Sequence, residues 1–284
     1  MNIAMISDWF STKEYPGGGA ELVDATICTE LNITTKILSS ATELPDEHIF
    51  IITNFFNISK ELYSLLCSNK YSFIIIEHDY KFFPTRNPWN YPNSICDTKR
   101  FIELYSAAKK TYLQSEDQLG VFKLNNIPGN FYNFDCSIWS EYELDILEKL
   151  CYSSKNTPKS SLFFTVNLKN PGKGTGTAIE WCKTMRIKYC LSTETTWHML
   201  MNEMAGFTTL VFTPGARESL CRLVVEAKCI GLNVITTTMP YGATASPFYE
   251  MDSNAIIYYL REKSKRNLEE LKNTCNELAN KSLI

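Results

Sequence analysis

The stretch that most constrains this chain is residues 217–236, RESLCRLVVEAKCIGLNVIT. Two carboxylates in it, Glu218 and Glu226, stand eight residues apart. The second lies in an apolar run, Gly231 follows, and a β-branched segment, 233–238, comes next. Another β-branched run, 208–212, precedes the first carboxylate. The order predicts strand, loop, helix, glycine stop and strand, a βαβ unit of an open parallel sheet. Such sheets bind ligands beyond the carboxyl ends of their strands, and Glu218 is expected there, at the helix start. Eight residues make about 2.2 turns, so Glu226 is expected further along the same helical face. Backbone N–H groups at a helix start suit an anion, and carboxylates suit hydroxyls. A nucleotide-sugar carries both. Two Glu at this spacing also occur on solvated helices, but Glu226 sits inside Leu223-Val224-Val225-Glu226-Ala227, where a merely solvated carboxylate is less expected.

The same alternation runs through the chain. Strands are expected at 2–9, 33–38, 49–53, 73–77 and 112–114, and helices at 20–31, 60–67, 99–109 and 116–124. Residues 153–161, SSKNTPKSS, read as a linker. The pattern then restarts with strands at 162–166, 188–191 and 208–212 and helices at 175–185 and 196–205. A charged helical segment, 256–278, closes the chain, divided near Ser264. This alternation implies parallel sheets covered on both faces. The expected fold class is α/β, with two Rossmann-like domains facing each other across a cleft. Their bounds are 1–155 and 156–262, with 263–284 a helix packing back on the first. Residues 79–97, with Pro84, Pro88 and Pro92, are too interrupted for a regular element, and loops of this length are commonly functional or mobile.

A chain of 284 residues has length for one or two real cores. No apolar run approaches the roughly 18 residues of a membrane span. The start, MNIAMISDWF, lacks the basic region and apolar core of a signal peptide. A cytoplasmic protein without an integral membrane segment is expected. Ten Cys without a C-x-x-C pair, and three His in all, give no metal-ligand spacing. The thiols are expected to be reduced and buried. The net charge of −3 is uneven: residues 1–155 carry 13 basic and 20 acidic side chains, residues 156–284 carry 15 and 11. A basic second half suits a domain that grips a diphosphate. An acidic first half argues against broad DNA binding, which needs positive charge, without excluding a local basic face.

Four loops carry candidate chemistry. Gly17-Gly18-Gly19-Ala20-Glu21 follows the first strand, and its glycines let backbone approach a ligand and open a helix towards it; a plain tight turn is the simpler reading. The G-x-G-x-x-G order of nicotinamide sites is missing. Residues 167–174, NLKNPGKG, follow the first strand of the second half and bring Lys169 and Lys173; a Walker loop is ruled out because no Ser or Thr follows Lys173. Glu77-His78-Asp79 ends a strand, and its imidazole can bond a hydroxyl or handle a proton, while Asp79 is an alternative base. His48 and His198 lack this setting and are read as structural. Gln114-Ser115-Glu116 is explained by helix capping.

Together these motifs resemble the retaining glycosyltransferases of the GT-B fold, in particular family four. There the pattern is roughly Pro-Ser-x-x-Glu-x-x-Gly, then Glu-Ala-x-x-x-Gly-x-Pro-Val-Ile. Here it reads Thr213-Pro214-Gly215-Ala216-Arg217-Glu218, then Glu226-Ala227-Lys228-Cys229-Ile230-Gly231-Leu232-Asn233-Val234-Ile235. The family's Gly-Arg-x-x-x-x-Lys-Gly loop is matched by Lys173-Gly174, but Asn167 and Leu168 replace its Gly and Arg. Lys169 is the nearest substitute, a point charge where Arg is a bidentate fork. The resemblance implies an acceptor-binding first domain and a nucleotide-sugar-binding second one. It implies sugar transfer with retention from a nucleotide diphosphate sugar as co-substrate, with no cofactor and no obligatory metal. The candidate catalytic residues are Glu218, His78 and Asp79. The candidate donor-binding residues are Gly18, Gly19, Lys169, Lys173, Ser219, Leu220, Cys221, Arg222 and Glu226, with Glu226 on the ribose. Arg222 is expected to meet either phosphate or a Glu. The short chain resembles compact phage or viral members. The acceptor is expected to be a glycan, a lipid-linked sugar or lipopolysaccharide. A hydroxymethylated base of viral DNA is the other option, needing a basic strip such as Lys81, Arg86, Lys99, Arg100, Lys109 and Lys110. A nucleotide-sugar epimerase and a non-catalytic nucleotide-sugar-binding subunit are the alternatives.

Overall fold

Every residue of the first strand, β1 (Ile3–Ser7), is buried, as a strand covered on both faces must be. The structure, a computed structural model, describes residues 2–12, 17–45, 48–166, 171–194 and 196–281. It divides into two compact units. One runs to Ile138 and resumes at Lys263, and the other spans Trp139–Glu262.

In the first unit β1 is followed by α1 (Gly19–Glu30), β2 (Thr35–Leu38), β3 (Ile49–Ile52), α2 (Lys60–Cys67), β4 (Ser72–Glu77), α3 (Ile102–Ala107), β5 (Thr111–Leu113), α4 (Glu116–Leu124) and β6 (Phe131–Asn133). The strands form one sheet in the order β2-β1-β3-β4-β5-β6, parallel throughout. Successive side chains point to opposite faces. Ala4 and Ile6 therefore join Phe50, Ile52, Phe73 and Ile75 in one core, while Ile3 and Met5 join Ile49, Ile51, Ile74 and Ile76 in the other. Leu271, Cys275 and Leu278 pack into this second core.

The second unit begins with α5 (Glu141–Asn156) and continues through β7 (Phe163–Val166), α6 (Thr175–Thr184), β8 (Tyr189–Ser192), α7 (Trp197–Met204), β9 (Thr209–Val211), α8 (Arg222–Ile230) and β10 (Asn233–Ile235). Its sheet has the order β10-β9-β7-β8, again parallel. In each sheet the first strand has later strands on both sides. The order reverses there, which is the topological switch point where open α/β sheets bind ligands. The last helix, α9 (Ser253–Lys281), starts in the second unit and ends in the first.

Four features differ from the sequence expectations. Helix α9 is unbroken at Ser264, which is 3% exposed: its small side chain faces inward and lets the helix pack closely. The division of the chain falls before α5, not in the serine-rich stretch 153–161. Residues 153–156 are the last turn of α5, and the Ser154 hydroxyl donates to the Ile230 carbonyl of α8 at 2.9 Å. Strand β6 adds an edge to the first sheet. The start of the interrupted segment 79–97 is packed against the core, since Tyr80, Phe82 and Phe83 are fully buried. Among the described residues no helix is long and apolar enough to cross a membrane. All ten cysteines are free thiols, seven of them buried, and burial pushes Cys28 up to about 11 and Cys275 up to about 12.

Gly174 is the N-cap of α6 with φ of 70°. A Cβ there would stand 1.7 Å from the Thr213 carbonyl oxygen, so the close approach of this loop to the chain after β9 requires glycine. Gly174→Ala is expected to lower unfolding stability by more than about 1 kcal/mol, the ordinary scale of an unstrained glycine change. Gly120→Ala, within α4 and with nothing near its Cβ, is expected to raise it by roughly 0.5–1 kcal/mol. Urea unfolding of the two variants checks both signs.

Candidate active site

The loops leaving β7 and β9 meet at the switch point of the second sheet. Lys173 ends a short 3-10 turn, Pro171–Lys173, and Glu218 lies on the loop after β9. Lys173 Nζ donates to both carboxylate oxygens of Glu218 at 2.8 Å. The N–H groups of Gly215 and Ala216 donate to the Gly172 carbonyl at 2.9 and 3.1 Å, fixing one loop to the other. A candidate donor-binding residue, Lys173, and a candidate catalytic one, Glu218, are thus brought together across 45 positions of sequence. Lys169 lies outside the described residues, as do Asn167 and Leu168.

Glu218 is not at the start of a helix. Helix α8 begins at Arg222, and its N-cap, Cys221, has left-handed backbone with φ of 74° and ψ of 79°. Residues 218–220 are held instead by the chain after β10. Gly242 N–H donates to the Glu218 carbonyl at 3.0 Å and Ala243 N–H to the Leu220 carbonyl at 2.7 Å. Ser219 and Leu220 are buried in this loop. Glu218 and Glu226 therefore do not share a helical face.

Glu226 is 2% exposed. Its Oε1 accepts from the Trp139 indole N–H at 3.1 Å and from Arg222 Nε at 3.2 Å. Arg222 Nη2 donates to Glu143 Oε1 at 2.5 Å, and the guanidinium stacks 4.6 Å from the Trp139 ring. Of the two partners expected for Arg222, a Glu is the one observed. Burial pushes the Glu226 carboxyl above the usual range, against the pull of Arg222. Neither Trp139 nor Glu143 was singled out from sequence. The readable signal for Glu143 was its capping box with Ser140, which α5 uses: Ser140 N–H donates to Glu143 Oε2 at 2.8 Å.

In the first unit the glycine loop after β1 is built as a cap. Gly17 has φ of 80°, and a Cβ there would lie 2.7 Å from that of Glu21. Gly18 is the N-cap of α1, Gly19 its first residue, and Gly18 N–H donates to Glu21 Oε2 at 2.7 Å. One turn on, Asp24 is 3% exposed. Its Oδ1 lies 2.9 Å from His78 Nε2 and its Oδ2 accepts from the Thr53 hydroxyl at 2.8 Å. Asp24 was missed in the sequence. An Asp between apolar positions of a helix, Val23 and Ile27, was the available sign.

Asp79 has a different setting. Lys81 Nζ lies 2.5 Å from Glu77 Oε1 and 3.2 Å from Asp79 Oδ1, the latter without a directed hydrogen bond. Arg86 pairs with Asp79 Oδ2, and the Tyr105 hydroxyl donates to Glu77 Oε2 at 2.5 Å. Burial disfavours the Asp79 charge, but Lys81 and Arg86 prevail and hold its carboxyl at about 2. Burial pushes Glu77 up, against the same Lys81. A carboxylate held this low is a poor proton acceptor at neutral pH, so Asp79 does not suit the base role. Of the six cations of the expected basic strip, four are engaged within the protein. Lys81 is fully buried, Arg86 is paired with Asp79, Arg100 stacks on Phe56 and Phe101, and Lys110 pairs with Glu270 at 2.7 Å. Ser115 caps α4, accepting from Gln118 N–H at 3.1 Å.

No protein-family model matches the sequence, and a search of curated proteins returns no match. Solved structures do match. Sucrose-phosphate synthase from Thermosynechococcus elongatus aligns with 99% of this chain and 97% of its own, at 10% identity and a TM-score of 0.58. Trehalose-6-phosphate synthase OtsA aligns with 100% of this chain and 98% of its own, at 11% identity and 0.55. The pneumococcal O-GlcNAc transferase GtfA, in complex with UDP and GlcNAc, aligns with 92% of this chain, at 13% identity and 0.53, and this chain spans 60% of it. At such identities the likeness is one of fold. The chain is an α/β protein of two Rossmann-like units, the GT-B architecture.

Two outcomes follow from the buried charges. Arg222→Met leaves Glu143 and Glu226 buried without their cation, a loss of about 3–5 kcal/mol, measured by urea unfolding. Asp79 has its carboxyl lowered on folding, so its contribution is present above the unfolded value near 3.8 and is lost as pH falls towards 2. The stability difference between wild type and Asp79→Asn is expected to shrink between about pH 5 and about pH 2.5; a gap that stays constant contradicts the ion-pair account.

Proposed function

We propose that the chain is a glycosyltransferase that takes its sugar from a nucleotide diphosphate sugar. The observation that carries this reading is the Lys173–Glu218 pair at the switch point of the second sheet, on a fold shared with three sugar-transferring enzymes. Lys173 neutralises the leaving diphosphate, with Lys169 as the second cation. Positioned charge of this kind is usually the largest catalytic contribution. Glu218 accepts hydrogen bonds from the sugar hydroxyls and steadies the positive charge that develops on the ring. A uridine donor is favoured, because GtfA was captured with UDP. Transfer proceeds with retention and without an obligatory metal.

His78 is the group proposed to meet the sugar or the acceptor hydroxyl, its Nε2 bonded to Asp24. A glycan, lipid-linked sugar or lipopolysaccharide is favoured as acceptor. A base in phage DNA is disfavoured, because Lys81 is buried and Arg86 and Lys110 are already paired with carboxylates. One observation favours a second reading, a nucleotide-sugar-binding subunit without turnover. Glu226, the residue expected on the ribose, is buried, and its Oε1 already accepts from both Trp139 and Arg222.

Thermal unfolding with UDP, GDP, ADP and their sugar conjugates tests the proposal. A ligand at a hundred times its dissociation constant adds about 2.7 kcal/mol, so one nucleotide series is expected to raise the melting temperature clearly and Lys173→Ala to reduce the rise. Wild type indifferent to all of them overturns the proposal. Binding without release of nucleoside diphosphate from the sugar conjugate, across glycan and lipid-linked acceptors, favours the second reading.

A further inference from the structure

The pair of Lys173 and Glu218 joins a half-open cation to a nearly enclosed acid: the side chains are 38% and 13% exposed. The main chain is pinned on both sides of it. Gly172 holds Gly215 and Ala216, and Glu218 and Leu220 are held by Gly242 and Ala243. The side chains are the parts left to rearrange. An ammonium has three donors, and two of the contacts here go to one carboxylate. A diphosphate that reaches Lys173 competes with Glu218 for those donors and meets its carboxylate as a like charge.

We propose that Glu218 makes the site discriminate an intact nucleotide-sugar from the bare nucleoside diphosphate; this rests on the donor reading above. Glu218 accepts from Lys173 through both carboxylate oxygens. Either ligand displaces it through its phosphates. The sugar of the intact donor then offers hydroxyls to the released carboxylate, which regains hydrogen bonds. The bare nucleoside diphosphate offers none, so it bears the loss of the ion pair without replacement. The same contact that waits for the donor thus disfavours retention of the product. Glu218 acts here as a specificity-determining residue, whatever its part in the transfer step.

Calorimetric titration with UDP, GDP and ADP, each alone and as its glucose conjugate, tests this on wild type, Glu218→Gln, Lys173→Met and the double variant. Gln keeps the shape of Glu218 and removes its charge. For the nucleotide that wild type binds, Glu218→Gln is expected to tighten the bare diphosphate by about 3- to 10-fold, tenfold being about 1.4 kcal/mol. The glucose conjugate is expected to tighten less or to weaken. The gain for the bare diphosphate is expected to shrink when Lys173→Met is already present. Equal or weaker binding of the bare diphosphate by Glu218→Gln overturns the inference and leaves the donor reading standing, as does equal tightening of both ligands. Wild type that binds none of the six ligands overturns the donor reading, and the inference with it.

Discussion

A parallel strand cannot return to its neighbour through a tight turn; it needs a crossover of a dozen or more residues. Both sheets here are parallel throughout. Every chain segment that leaves the carboxyl end of a strand therefore leaves from the same edge of its sheet. In the first unit that edge collects the glycine loop after β1, Thr53 after β3 and His78 after β4. In the second it collects Lys173 after β7 and Glu218 after β9. Residues far apart in sequence become neighbours by topology, as the 54 positions between Asp24 and His78 illustrate. Convergence at the edge, more than any local motif, is what brings these side chains together in each unit.

Both units also bury charge beside that edge. Burying an ion pair is seldom a net gain against apolar residues of the same volume, because the desolvation of both partners offsets their attraction. Its effect is directional: once one partner is buried, the other has to be there. In the first unit Glu77 and Asp79 leave β4 inward, and Lys81 and Arg86 follow within the same segment to compensate them. That fixes residues 79–83 as packed chain and gives Lys81 a structural task. In the second unit Arg222 compensates Glu143 and Glu226 together, tying α5 to the first turn of α8. The helix that the sequence hides is thereby attached to the helix that it announces.

The alternation of strands and helices was legible because β-branched runs and helical periodicity recur at regular intervals. Most strands of both sheets are such runs, and β6, which has no β-branched residue, is the one that was not read. Helix α5 was hidden because its second half, Lys149 to Asn156, turns polar and merges with a serine-rich stretch that reads as a linker. Its packing surface matters more than its propensity, and that surface is chosen by α8. The start of α8 was misplaced for a related reason. Arg217, Glu218, Ser219 and Leu220 are all tolerated in helices, and nothing local forbids one there. The contacts that forbid it come from Gly242 and Ala243, more than twenty positions later. Lys81 was counted as a surface cation because a lysine beside two phenylalanines in a broken segment carries no period to say which way it faces.

The eight-residue spacing of the two carboxylates survives with a changed meaning. In an unbroken helix it would aim both at one ligand. Here the left-handed turn at Cys221 stands between them, so the spacing no longer sets their relative direction. Glu226 instead bonds Arg222, the first residue of α8 and one turn before it. That bond and the Trp139 indole hold the opening turn of the helix in place. The opening turn in turn fixes where the loop of Glu218 ends, and the contacts from Gly242 and Ala243 fix the rest of it. Glu226 is in this way an anchor for the loop that carries Glu218 towards Lys173. A carboxylate buried beside an arginine and an indole performs that task without touching a ligand, which accounts for a charged residue inside Leu223-Val224-Val225-Glu226-Ala227 as well as a ribose contact would.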